Sequence, residues 1–237
     1  MATTNLEFYD DLWSRTHLEE PRRFNTWPLV EALVAAARER LEIGPGLRPR
    51  LPIEGTCFVD ISRHALKPLR RRGARTALAE SGALPFPDRR FDLVAVFDVI
   101  EHVADDVSVF RELGRVLKDE AVLVFSVPLY ASSWTPFDSV VGHFRRYEPD
   151  DLERSLEEHG FELERSAVFG MQAKSGWLLR VAARTLARHR AKAMWWYNRV
   201  ILPLGMYLQK PLVFESGLIR ARSADEVVVV CRRRVRR

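Results

Sequence analysis

Between residues 40 and 170 the chain alternates short runs rich in branched apolar residues with amphipathic stretches, a rhythm that few folds satisfy. The short runs are RLEI, TCFVDI, ARTAL, FDLVAVFDV, AVLVFSVP and FELERSAVF, each the length of a strand. Three of the intervening stretches read as helices. SRHALKPLRRRG ends on a glycine stop, DDVSVFRELGRVLKDE spaces Val109, Leu113, Val116 and Leu117 along one face, and EPDDLERSLEEHG opens with acids and closes at Gly160. This alternation predicts βαβ units and an α/β, doubly wound, mostly parallel sheet.

The flanks extend that pattern. WPLVEALVAAARER, entered at Trp27-Pro28, reads as a helix running into the first strand, and DEVVVVCRR reads as a late strand pairing antiparallel at the sheet edge beside the sixth. Between them, residues 171–225 change character. KSGWLLRVAARTLARHRAKAMWWYNRV reads as helix with basic residues on one side and Trp177, Leu178, Leu186, Trp195 and Trp196 on others. The expected division is a 1–25 N-terminal segment, a 26–170 core, a 171–225 helical insert, and a 226–237 final strand with a basic tail. At 237 residues and 47% hydrophobic, the chain can bury one sizeable core.

The formal net charge of +5 is unevenly placed, since CRRRVRR carries five arginines. Such a tail is a solvated end, or favours an anionic surface such as membrane lipid or nucleic acid. The acidic start MATTNLEFYDDLW does not resemble an export signal, and the apolar run VILPLGMYL is too short to cross a bilayer. Cys57 and Cys231 sit in strand-like runs without metal-ligand spacing and read as buried free thiols. These features predict a soluble, cytoplasmic protein.

The loop GPGLRPRLP after the first strand narrows the ligand. A nucleotide pyrophosphate is ordinarily caught at the N-terminus of a helix that starts in a glycine loop. Here Pro49 and Pro52 deny such a helix its hydrogen bonds, and residues 47–55 leave no room for a full crossover helix. No Gly-Lys-Ser/Thr follows either. What remains is a close approach of bare backbone at Gly44 and Gly46 to a ligand without phosphates. Asp60, ending the second strand, can accept from both hydroxyls of a ribose, and Glu42 can accept from an ammonium group directly or through the loop. The ligand so described has a ribose and a cationic amino-acid end.

LEIGPG, VDIS, LPFPDRRFDLVAVFDVIEHV and RVLKDEAVLVFSVP, in that order over residues 40–127, resemble the motifs of class I S-adenosylmethionine-dependent methyltransferases, specifically the type 11 small-molecule group. The resemblance implies a Rossmann-like, seven-stranded sheet with an antiparallel last strand, and S-adenosyl-L-methionine as cofactor. It implies that Glu42, Gly44 and Gly46 line the methionine end, that Asp60 binds the ribose and that Ile61 packs on the adenine. Glu80 and Ser81 stand where relatives carry Asp-Ala to meet the adenine, and Phe97 would lie beside the sulfonium.

Methyl transfer from a sulfonium needs alignment and removal of the acceptor's proton, and histidine suits that base role. His102 in DVIEHV and His143 in VGHFRRY are the candidate catalytic residues, both at ends of parallel strands. Asp98, Glu101, His102 and His143 also resemble a divalent-metal set of some class I methyltransferases, although EHV occurs in many relatives that hold no metal. The expectation is no metal. Arg145, Arg146 and Tyr147 either position an anionic acceptor or salt-bridge to the acidic helix that follows. Tyr9 and Trp13 are candidates for a lid. The insert, with Met194 and Met206, suggests an apolar acceptor pocket, or a face lying on an anionic bilayer. No Asn/Asp-Pro-Pro-aromatic run follows the fourth strand, so no nucleic acid is expected as partner. The expected activity is transfer of a methyl group to an oxygen or nitrogen of a small metabolite. The alternative is a catalytically silent cofactor-binding fold that serves as a partner or membrane-surface protein.

Overall fold

The computed structural model describes residues 10, 13, 16–170, 196, 199, 200, 202–221 and 225–235. Eight strands form one sheet in the order β3-β2-β1-β4-β5-β8-β6-β7. They are β1 (Arg40–Ile43), β2 (Thr56–Asp60), β3 (Arg75–Leu78), β4 (Phe91–Val96), β5 (Leu117–Pro128), β6 (Phe161–Val168), β7 (Phe214–Ser216) and β8 (Glu226–Arg233). β1 to β5 run parallel, whereas β8 pairs antiparallel with both β5 and β6, and β7 pairs antiparallel with β6. The late strand therefore lies inside the sheet rather than at its edge, and β7 is an eighth strand that the sequence reading lacks. Leu117, expected on a helix face, instead begins β5 and pairs with Phe91.

The described α-helices are α1 (Trp27–Ala36), α2 (Arg63–Arg71), α3 (Asp106–Val116), α4 (Pro136–Val141), α5 (Pro149–Glu158) and α6 (Leu202–Tyr207), with three short 3-10 turns besides. Strand alternation divides the core. Leu41, Ile43, Val94, Val96 and Phe125 face α3 and α5 through Val109, Phe110, Leu113, Leu152 and Leu156. Leu93, Ala95, Phe97 and Val230 face α1 through Leu29 and Val30. Phe58 faces α2 through Leu66 and Leu69. Side-chain caps start two of these helices, Ser62 accepting from the Ala65 N–H and Asp105 from the Ser108 N–H.

β1 reaches β2 through residues 44–55 without a helix, as the prolines require. The loop fills the vacant layer with its own apolar side chains. Leu47 and Leu51 are fully buried, with Leu51 packing into the α1 side of the core and Ile53 into the α2 side. Cys57 and Cys231 are buried free thiols. No described helix is long and apolar enough to cross a membrane.

Candidate active site at the carboxyl ends of the strands

Parallel strands end together on one rim, and the buried Asp60, Ser62, Ser81, Glu101 and Asp138 lie there. Gly44 and Gly46 turn the chain off β1 with φ of +64° and +54°. A Cβ on Gly44 would stand 2.4 Å from Val99 Cγ2, and one on Gly46 would stand 2.1 Å from Trp13 Cζ2. The glycines are therefore demanded by backbone conformation and by protein side chains, not by ligand contact alone. Trp13 lies over the bare loop and stacks under Arg48, whose guanidinium carbon is 5.5 Å from the ring. Asp10 accepts from the Ser62 hydroxyl and stands 3.4 Å from His64 Nδ1. The N-terminal segment thus passes over the ends of β1 and β2 at both positions; Tyr9 lies outside the described residues.

Asp60 closes β2 with its carboxylate tied into the loop. Oδ2 accepts from the Gly46 N–H at 3.0 Å and Oδ1 from the Ser62 N–H at 2.8 Å. Burial pushes it up to about 6, opposed by those two hydrogen bonds. Each oxygen retains a second acceptor site. Ile61 beside it is 38% exposed, an apolar side chain left open at a strand end. The Ala79 N–H donates to the Asp60 carbonyl, which brings the Glu80-Ser81 turn alongside; Ser81 is buried and Glu80 exposed.

Glu42 is almost completely enclosed, and its carboxylate accepts from the N–H groups of Arg50 and Leu51 at 2.8–3.1 Å. It shapes the loop from below. Burial pushes it up to about 7, against those backbone hydrogen bonds. Phe97 points to the α1 side, its ring 5.9 Å from Phe169 and 5.6 Å from the Arg50 guanidinium carbon.

Beyond β4 the backbone twists into the left-handed region at Asp98, φ +56°. The Asp98 N–H donates to the Ser126 hydroxyl at 2.9 Å, and that hydroxyl donates back to Asp98 Oδ1 at 2.5 Å. Burial would raise Asp98, but hydrogen bonding with Glu226, the charge of Arg50 and the Ser126 bond together hold it below its ordinary value. Burial and the Asp98 charge push Glu226 well up, so Glu226 keeps the shared proton.

Glu101 and His102 follow in a 3-10 turn, Ile100–His102. Glu101 is 2% exposed, and its Oε2 has no hydrogen-bond partner among the described residues. Burial and then Asp98 raise it well above the ordinary carboxyl value. His102 Nε2 stands 3.9 Å and His143 Nε2 4.0 Å from Glu101 Oε1, with the two imidazoles edge to face at 4.6 Å. Burial, reinforced by His143, lowers His102 to about 4, so it is neutral near pH 7. One ligand atom from each of Glu101, His102 and His143 lies within 4.8 Å of the others. Asp98 is not part of that group.

His143 is held from behind. Its Nδ1 lies 2.8 Å from Oδ1 of Asp138, a carboxylate in α4 that is 1% exposed. Asp138 also accepts from the Thr135 N–H and hydroxyl and, in a fork, from Arg146 Nε and Nη2. Those bonds overcome the effect of burial and keep it ionised. Arg145 pairs with Asp106, and the Tyr147 hydroxyl donates to Asp106 at 2.6 Å. The three residues of the GHFRRY loop are thus spent within the protein. Their partners are Asp138 and Asp106, not the helix after them, whose Asp150 and Glu153 pair with Arg220.

Sequence reasoning missed Arg50, Asp138 and Glu226. Asp138 had a signal, since Thr135 and Asp138 have the spacing of a helix capping box. Trp177, Leu178, Leu186, Met194 and Trp195 lie outside the described residues. Met206 is buried against Phe24, whereas Trp196 is exposed.

An uncharacterized protein of Mycobacterium tuberculosis is 32% identical over 145 residues, 57% of this chain and 50% of that protein. A probable S-adenosylmethionine-dependent methyltransferase of the same organism is 32% identical over 107 residues, covering 44% of this chain and 39% of the other. The chain spans about half the length, or less, of these curated relatives. A SAM-dependent methyltransferase of Thermotoga maritima, described as a possible histamine N-methyltransferase, superposes with a TM-score of 0.60 at 17% identity, over 88% of this chain and 87% of that one. Phosphoethanolamine N-methyltransferase 2 of Haemonchus contortus, in complex with phosphomonomethylethanolamine and S-adenosylhomocysteine, gives 0.55 at 16% identity, over 88% and 53%. These two share the fold. The model of the methyltransferase domain matches residues 38–166, more than half of the chain and the span from β1 to β6 that builds the rim. Sheet order, rim and matched span agree: the chain belongs to the methyltransferase-domain family and has its class I fold.

Proposed function

We propose that this protein transfers the methyl group of S-adenosylmethionine to an oxygen or nitrogen of a small metabolite. The observation that carries the reading is an Asp138–His143 pair, its carboxylate buried, on the same rim as the Gly44–Gly46 loop and Asp60. The cofactor fits the groups present. Asp60 offers acceptor sites to a ribose, Ile61 an open apolar surface to a base, the Glu80-Ser81 turn polar edges, and Glu42 fixes the loop for the amino-acid end. When bound, the cofactor supplies an electrophilic methyl on a positively charged sulfur.

The chain's part is alignment and proton removal. Asp138 accepts from His143 Nδ1–H and so fixes the tautomer with the Nε2 lone pair turned toward Glu101 and His102. An acceptor N–H or O–H placed at Nε2 loses its proton there, and Asp138 stabilises the imidazolium that results. His102, kept neutral by burial, can receive a hydrogen bond beside it.

A second reading uses the same atoms. The orphaned Glu101 Oε2 and the two converging imidazole nitrogens offer one oxygen and two nitrogens to a divalent cation, with Asp138 holding a ligand from behind. Under it the cation orients the acceptor and His143 is a ligand rather than a base.

Purified protein incubated with methyl-labelled S-adenosylmethionine and a panel of small hydroxyl and amine compounds should label at least one, and His143→Ala should lower kcat by about 100-fold. Chelation that leaves the rate unchanged, with no heat on adding manganese or magnesium, excludes the cation. Cofactor binding with no transfer to any acceptor or to water favours the silent binding fold.

A further inference from the structure

Arg50 is a polar group of the rim whose chemistry the reading above leaves unused. Its main-chain N–H is spent on Glu42, but its side chain is not. The guanidinium carbon sits 3.9 Å from the centre of the Phe24 ring, 5.6 Å from Phe97 and 5.5 Å from Phe169. Among the described residues, the guanidinium makes no hydrogen bond and no close ion pair. Three rings surround the cation, and its five N–H donors remain for a ligand. The side chain is half-buried, so ligand has access to it.

A guanidinium so placed selects a planar anion that can take two parallel N–H bonds. The acids around it narrow the anion further. Asp98, the ionised member of the Asp98–Glu226 pair, projects its field onto Arg50. A phosphate would bring two more negative charges beside that carboxylate, whereas the zwitterionic end of an amino acid brings a carboxylate for Arg50 together with an ammonium for Asp98. The position agrees with this. Arg50 lies four residues beyond Gly46, on the loop that takes the place of a crossover helix, and beside the ends of β1 and β4. No helix starts within residues 44–55 to meet an anion.

Resting on the cofactor reading above, we propose that Arg50 binds the α-carboxylate of the methionine end of S-adenosylmethionine, doing from the loop what main-chain amides of a helix would otherwise do. The three phenylalanines preset its orientation, and so lower the ordering cost of binding.

Calorimetry on the full chain tests this with three ligands: S-adenosylhomocysteine, its decarboxylated analogue, which keeps the amine, and 5′-methylthioadenosine, which lacks both groups. Arg50→Gln should weaken S-adenosylhomocysteine at least tenfold and change the other two by less than twofold. Arg50→Lys should recover part of the loss. Equal weakening of all three ligands would assign Arg50 to bracing the loop and overturn the proposal. Unchanged affinity for all three would do the same, leaving the cation to an anionic acceptor. Wild-type protein that binds none of the three overturns the cofactor reading itself, a result separable from either. Circular dichroism melts of both variants check that the fold is retained.

Discussion

Gly46 concentrates two demands on one residue. An L-residue there would adopt the left-handed conformation at a cost of about 1–2 kcal/mol, and its Cβ would also strike the Trp13 indole. Gly46→Ala should therefore lower stability by about 2 kcal/mol, and the double variant with Trp13→Ala should recover the steric share but not the conformational one. Urea titrations of the four proteins in that cycle measure the coupling. Asp60 accepts from the same residue's N–H, so the substitution also disturbs the Asp60 carboxylate. At this scale the sequence was readable where a residue type implies a backbone state or a strand end, as at Gly44, Gly46 and Asp60. It was silent for Arg50, since RPRLP between two strands says turn and charge but not that Phe24, Phe97 and Phe169 meet around a guanidinium. Those rings come from three distant stretches, and only the folded sheet brings them together.

Among the elements, β8 shows how far a local pattern reaches. EVVVVCRR announces a buried strand, and four consecutive fully buried valines agree. Its neighbours are another matter, because branched residues specify that a strand is covered, not by which strands, and β8 enters between β5 and β6. β7 was missed because its three residues are too short to carry a period. The arginines that follow the valines are not simply solvated. Arg232 pairs with Glu164 at 2.6 Å, and Arg233, 4% exposed, donates to the carbonyls of Gly114, His159 and Gly160. One guanidinium thereby caps the C-terminal ends of α3 and α5 and ties both to β8, where helix dipoles favour a cation. Arg233→Met should cost about 3 kcal/mol in chemical denaturation, because three carbonyls lose their donor inside the protein. A loss below about 1 kcal/mol would show that water replaces it freely.

For the molecule as a whole, the rim sets the pH response. Glu42 and Asp60 have folded-state values of about 7 and about 6, above those of the unfolded chain. The native state thus binds their protons more tightly, and the stability this contributes is full below about pH 4 and is lost as pH rises to about 7. Asp138, Asp106 and Glu112 are shifted down and act in the opposite sense, stabilising above about pH 4. Replacing Glu42 by Gln should remove on the order of 2–3 kcal/mol of the decline between pH 4.5 and 7.5, whatever it does to absolute stability. Parallel urea denaturations at the two pH values, with Arg50 and the loop amides still facing position 42, read that difference directly. The placement of β8 has its own consequence in time. On a ribosome, β5 and β6 emerge well before the strand that must lie between them, so until Arg233 is made the nascent sheet has an open slot flanked by two hydrophobic edges. A chain stalled in that interval would be a natural client for a chaperone.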